Sequence, residues 1–138
     1  GLSAVMPAHV IYTQCDDNPA GFSRYWLQSV LREEMQFDGV IFSDDLAMEG
    51  ATVAGDFPSR ARAALTAGCD MVLVCNDPQG AAQVLDAVLP ISERSAQRLL
   101  KLRARPQGES LKSWDEFKSS PARGAAQDAI SSALNNNY

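Results

Sequence analysis

With 138 residues, 46% of them apolar, the chain has the size of one ordinary domain and enough apolar side chains for a core. Seventeen acidic against twelve basic residues give a formal charge of −5, which excludes nucleic-acid binding unless a local basic patch outweighs it. The one basic cluster, Arg94 to Arg105, is too small for that and suits the C-terminal end of a helix. Three cysteines, Cys15, Cys69 and Cys75, without a C-x-x-C pair or a second histidine, argue against both a disulfide framework and a zinc site. With no signal-like segment and no apolar run of membrane-spanning length, a reducing cytoplasm is expected, with Cys69 and Cys75 as small buried packing residues. The opening GLSAVMPAHV lacks an initiator Met and reads as the interior of something longer.

In chain order, Ala4-Val5-Met6 reads as a short buried strand that Pro7 to Tyr12 carries toward a loop rich in turn formers. Ser23 caps a helix whose Leu27, Val30, Leu31 and Met35 recur at the spacing of one buried face. Phe37-Asp38-Gly39 turns into a second strand, Val40-Ile41-Phe42, and Leu46 to Ala51 is a loop or a single turn. Pro58 opens a helix with Ala61, Ala64 and Leu65 on one face, and Gly68 ends it. Met71 to Cys75, apolar without alternation, has the pattern of a strand covered on both faces of a parallel sheet. Asn76-Asp77-Pro78 then starts a helix with Ala82, Leu85, Val88 and Leu89 as its inner stripe. Three successive βα units result, with right-handed parallel crossovers expected. Beyond Pro90 only helices follow: Ser92 to about Ala104, a short one capped by the Ser113-Trp114-Asp115-Glu116 box, and a weak one from about Ala125 to Leu134, with LNNNY fraying.

All three strands end in polar or unusual residues: Pro7-Ala8-His9, Ser43-Asp44-Asp45 and Asn76-Asp77. In parallel α/β proteins those carboxyl ends gather on one face, where ligands bind. Asp77 is explained as the cap ahead of Pro78. His9, the lone histidine, either supports the mouth of the sheet or contacts substrate. No periodic helix begins directly behind Asp44 and Asp45, and strand alternation sends adjacent carboxylates to opposite faces, so one acts while the other supports. A carboxylate there suits retaining glycoside hydrolysis as nucleophile, and equally a phosphoacceptor aspartate.

Taken in order and spacing, MPAHVIY, PAGFSRYWLQSVLREEMQFDGVIFSDDLAMEGA and AALTAGCDMVLVCND resemble the family 3 glycoside hydrolases, in particular the bacterial β-N-acetylglucosaminidases (β-hexosaminidases) that recycle cell-wall muropeptides. The resemblance spans about residues 4–77 and loosens toward Arg105. It implies a (β/α)8 barrel of which residues 1–105 are the C-terminal portion, about the last three βα units, with 106–138 as a helical extension. It places the catalytic nucleophile on Asp44, leaves Asp45 a supporting acid, and needs no metal or organic cofactor. The family's acid/base, a His assisted by an Asp, and its Arg, Asp and Lys-His sugar-binding residues belong to motifs absent from this chain, so His9 is not the acid/base and remains at most a weak substrate-binding candidate. The implied partners are an N-acetylglucosamine-containing muropeptide or anhydromuropeptide, and either the N-terminal barrel portion or another copy of the chain; nucleic acid and membrane are not expected. The isolated chain is expected to be inactive. A non-catalytic barrel fragment or swapped oligomer is the alternative. A doubly wound phosphoacceptor module is weakened because no lysine precedes Lys101.

Overall fold

The structure, a computed structural model, describes residues 2–87, 91–103 and 113–135. The chain divides into two units, Gly1–Arg103 and Ala104–Tyr138. The first is α/β. Strands β1 (Ala4–Val5), β2 (Val40–Asp45) and β3 (Met71–Leu73) form a parallel sheet in the order β1-β2-β3, with Ala4 opposite Val40 and Val5 opposite Ile41. Between β1 and β2 run a 3₁₀ turn, Ala20–Phe22, and a wide helix, Tyr25–Glu34; a second 3₁₀ turn, Glu49–Ala54, and helix α1 (Phe57–Ala67) join β2 to β3. Helices α2 (Pro78–Asp86) and α3 (Glu93–Lys101) follow.

The apolar runs become strands because their side chains bury against helices on the sheet. Leu27, Ile41, Ala64, Ala67 and Cys69 form the core, flanked by Val5, Phe22, Leu31, Phe37 and Val72. Small alanines on α1 let that helix approach closely. Asp56 caps it by accepting the Ser59 N–H (2.9 Å), and Gly68 ends it at φ +127°, a conformation that favours glycine.

Two expected helix faces differ. The helix after Ser23 has i→i+5 hydrogen bonds, such as Met35 N–H to the Val30 carbonyl (2.9 Å), so its turn is wider than that of an α-helix. Leu27 is buried as expected, but the wider turn rotates Met35 outward, to 66% exposure. On α2 the inward residues are Gly80, Ala81 and Val84, while Ala82 is exposed and Leu85 is 81% exposed. The cause lies in α1: a Cβ on Gly80 would stand 2.6 Å from the Phe57 ring, so α2 presents its glycine there and its leucine turns away. Val88 and Leu89 lie outside the described residues, as do Ala104, Arg105 and residues 136–138. β3 stops at Leu73, two residues short of the expected end, which leaves Cys75 exposed rather than packed; Cys69 is buried, and that burial pushes its thiol up to about 12.

Helix α3 is fixed to the amino-terminal edge of the sheet by charge. Lys101 Nζ (2.8 Å) and Arg98 Nε (3.1 Å) donate to the two oxygens of Asp38, just ahead of β2. Hydrogen bonds from Lys101 and then Arg98 lower the Asp38 carboxyl from 3.8 to about 2. A depressed folded value stabilises the protein above the unfolded value and is lost as pH falls through the folded one. An NMR titration of Asp38 is expected to give a midpoint of about 2, with α3 loosening over the same range. A midpoint at the ordinary carboxylate value would mean that the two cations do not stay on it in solution.

Within the second unit, α4 (Trp114–Lys118) begins with the expected capping box: Ser113 Oγ accepts the Glu116 N–H (3.2 Å) and the Glu116 carboxylate accepts the Ser113 N–H (2.6 Å). Helix α5 spans Pro121–Asn135, starting before the expected Ala125 because Ser120 Oγ accepts the Arg123 N–H (3.3 Å) and Pro121 suits a first helical turn. No helix among the described residues is long and apolar enough to cross a membrane.

Candidate active site

β2 runs beyond the apolar triplet expected of it, through Ser43, Asp44 and Asp45. Phe42 pairs with Met71 and Asp45 with Leu73, so three steps on β2 match two on β3 and one residue bulges. A bulge bends a strand and re-aims its side chains, which is why bulges recur at barrel rims and beside active sites. Two side chains repair the ladder it disrupts. The buried Ser43 hydroxyl accepts the Leu73 N–H (3.0 Å), and Asp45 Oδ1 accepts both the Cys75 N–H and the Ala47 N–H (2.9 Å each).

The neighbouring acids therefore have different surroundings. Asp45 ties the end of β2 to the chain leaving β3 and to its own following turn. Asp44 is half-buried; its Oδ1 accepts the Asp45 N–H (2.9 Å), the one hydrogen bond to this carboxylate among the described residues, and a local one. Simple alternation does not describe this pair, because the bulge falls between Phe42 and Asp45. Sequence reasoning missed Ser43 as the repair group; its signal is a hydroxyl placed directly after an apolar strand and before two acids.

His9 lies beyond β1 at the same carboxyl edge. Its ring centroid is 4.8 Å from that of Phe22, tilted by 39°, and both ring nitrogens are buried without a hydrogen-bond partner among the described residues. Asp77 caps α2 by accepting the Gly80 N–H (2.8 Å), and Asn76 before it takes φ +57°. The strand-end residues thus gather along one edge, as parallel topology dictates.

A second polar cluster, which the sequence did not reveal, sits at the opposite edge. Asp70, 1% exposed, accepts from Arg32 Nη2 (2.7 Å) and the Ile41 N–H (2.9 Å) on one oxygen, and from Ser95 Oγ (2.7 Å) and Arg98 Nη1 (3.2 Å) on the other. Arg32 Nη1 also donates to the carbonyls of Phe37 (2.8 Å) and Gly39 (2.7 Å). A cleft of about 400 Å³ opens beside this cluster, but its cations and acids already pair with one another, so it is a joint between elements.

The sequence profile of the "Glycosyl hydrolase family 3 N terminal domain" matches residues 1–102. The chain belongs to glycosyl hydrolase family 3. It is 66% identical over 102 residues to a β-hexosaminidase of Idiomarina loihiensis, covering 73% of this chain and 31% of that relative. It is 46% identical over 138 residues to a β-hexosaminidase of Actinobacillus pleuropneumoniae serotype 5b, covering 99% of this chain and 39% of the relative. Among solved structures it is similar to NagZ from Neisseria gonorrhoeae in complex with N-trifluoroacetyl-D-glucosamine, with a TM-score of 0.72, 39% identity, and coverage of 94% of this chain and 36% of that one. The chain spans about a third of the length of these relatives. Its three parallel βα units fit a family 3 domain of the TIM-barrel type.

Proposed function

We propose that the protein carrying this chain hydrolyses terminal β-linked N-acetylglucosamine with retention of configuration, and that Asp44 is its nucleophile. The supporting observation is the division of labour at the bulge: Asp45 Oδ1 accepts two backbone N–H groups and so ties the strand end to the chain after β3 and to its own turn, whereas Asp44 accepts only the adjacent Asp45 N–H among the described residues and holds no other part of the fold together. Asp44 would bond to the anomeric carbon as a proton donor protonates the departing oxygen, and water would then release the sugar from the same face. That proton donor and the main sugar-binding residues would come from outside these 138 residues, in an N-terminal barrel portion that also completes the sheet. This chain would be the C-terminal part, and inactive alone. Beta-hexosaminidase relatives and a neighbour holding an N-acetylglucosamine derivative support the sugar class. Muropeptide fragments of the cell wall, met in the cytoplasm, are the substrate we favour.

A fluorinated N-acetylglucosaminyl donor that forms the glycosyl-enzyme faster than it is hydrolysed should leave its sugar on the peptide containing Asp44, as read by mass spectrometry of the full-length gene product. Label on another carboxylate would refute the assignment.

A further inference from the structure

We propose that Ser43 is a positioning residue for Asp44: by holding the Leu73 N–H, its buried hydroxyl keeps the bulge that aims the carboxylate. This role rests on Asp44 being the nucleophile. The chain from Ser43 to Leu46 grips a single residue of β3 at both of its ends. The Ser43 hydroxyl accepts the Leu73 N–H (3.0 Å), and the Leu46 N–H donates to the Leu73 carbonyl (2.9 Å). Asp44 stands between the two grips. Leu46 is fully buried and its carbonyl accepts from Arg60 Nη1 (2.7 Å), so the far grip is itself anchored on α1. Ahead of the bulge, Asp70 holds Ile41 from two sides in the same way: its backbone N–H donates to the Ile41 carbonyl (2.7 Å) and its carboxylate accepts the Ile41 N–H (2.9 Å). β2 is therefore fastened before and after the stretch that carries the bulge, and the fastening directly before Asp44 is the Ser43 hydroxyl.

A side-chain acceptor does here what a backbone carbonyl could not. In an unbroken parallel ladder the Leu73 N–H would pair with a carbonyl of β2, and the strand would run straight past it. The Ser43 oxygen, one bond beyond Cβ, satisfies that N–H while the extra residue of β2 stays in place. Without the hydroxyl, the partly buried N–H can be satisfied within the sheet only by a β2 carbonyl, and such pairing irons out the bulge. Side chains alternate along a strand, so a register change of one residue turns those beyond it toward the other face. Asp44 is the first of them. A partial slip is enough, because a misplacement of about 1 Å at a reacting group costs roughly a hundredfold in rate.

The test uses the full-length gene product. Ser43→Ala removes only the acceptor; it is expected to lower kcat by roughly 10- to 100-fold with KM changing less than about threefold, and to raise amide exchange at Leu73 by at least about tenfold. Ser95→Ala is the control for lost stability alone. It too deletes a buried hydroxyl, one that bonds Asp70 (2.7 Å) at the opposite edge, and should leave kcat within about twofold. Ser43→Thr keeps the acceptor and should restore both the protection of Leu73 and most of kcat. Rate is expected to follow the Leu73 amide through the series: a variant that recovers protection without kcat, or loses protection at unchanged kcat, overturns the proposal. So does a Ser95→Ala enzyme as slow as Ser43→Ala. Should Ser43→Ala fail to fold, Ser43→Cys, whose thiol is a poorer acceptor of similar shape, carries both readouts in the same direction. Failure of the nucleophile reading looks different, because the fluorinated donor would then label another carboxylate whatever the Leu73 amide does. Label appearing on Asp44 at the parent rate in Ser43→Ala would instead sink the role of Ser43 and leave the nucleophile standing.

Discussion

Asp44→Asn in the full-length gene product is expected to lower turnover of a chromogenic N-acetylglucosaminide by about ten-thousandfold, with the unfolding transition unchanged. The amide oxygen can still accept the Asp45 N–H that Asp44 Oδ1 holds at 2.9 Å, so the local fold survives while the atom that would bond to the anomeric carbon loses its charge. Asp45→Asn is the informative partner. Its amide oxygen can keep the Ala47 and Cys75 N–H groups, both at 2.9 Å, so its loss of turnover should be no more than about tenfold. Asp44→Gly supplied with azide should regain turnover and release the α-glycosyl azide, because azide enters from the face the carboxylate vacated and no second displacement follows. A large loss confined to Asp45→Asn, or an azide product of β configuration, would assign the chemistry elsewhere.

The sequence carried the order of the elements because buried parallel strands must be apolar throughout and helices must be capped. Val40-Ile41-Phe42 and the Asp77-Pro78 and Ser113 caps are visible on those grounds alone. Extents were not visible, since the end of a strand depends on its neighbour: β2 continues to Asp45 because β3 offers Leu73 as its partner, and β3 ends early for the same reason. The Met35 and Leu85 faces assumed an ideal helix packed on a uniform surface. One met a wider helix and the other the Phe57 ring beside Gly80. At the candidate site, resemblance to a family drew attention to Asp44, but the anchoring of Asp45 follows from a cross-strand register that no local pattern encodes. Asp70 and Arg32 are 38 positions apart, so their pairing was hidden. The available hints were an acid directly ahead of an apolar strand and an arginine within a helix that packs on the sheet.

That hidden pairing carries the largest expected effect on stability. Asp70→Ala should lower the unfolding free energy in urea by about 3–5 kcal/mol, a large share of what a typical domain possesses. The substitution leaves the Ile41 N–H, the Ser95 hydroxyl and two guanidinium groups facing a space that held four hydrogen bonds. Burial already pushes the Arg32 guanidinium below its ordinary value, opposed mainly by the charge and hydrogen bond of Asp70; without them only the weaker pull of Asp38 opposes the burial penalty and the repulsion from Arg98. Arg32 cannot turn to water cheaply, because its Nη1 also holds the carbonyls of Phe37 and Gly39, which shape the entry to β2. If the damage is uncompensated charge rather than lost volume, Asp70→Leu should be no better than Asp70→Ala. Adding Arg32→Met and Arg98→Met to Asp70→Leu should then recover a substantial part of the loss, since removing a buried ionic group whole costs less than breaking it. Losses below about 1 kcal/mol for Asp70→Ala, or a triple variant no more stable than Asp70→Leu, would mean that water reaches this cluster and that α3 is held by other contacts.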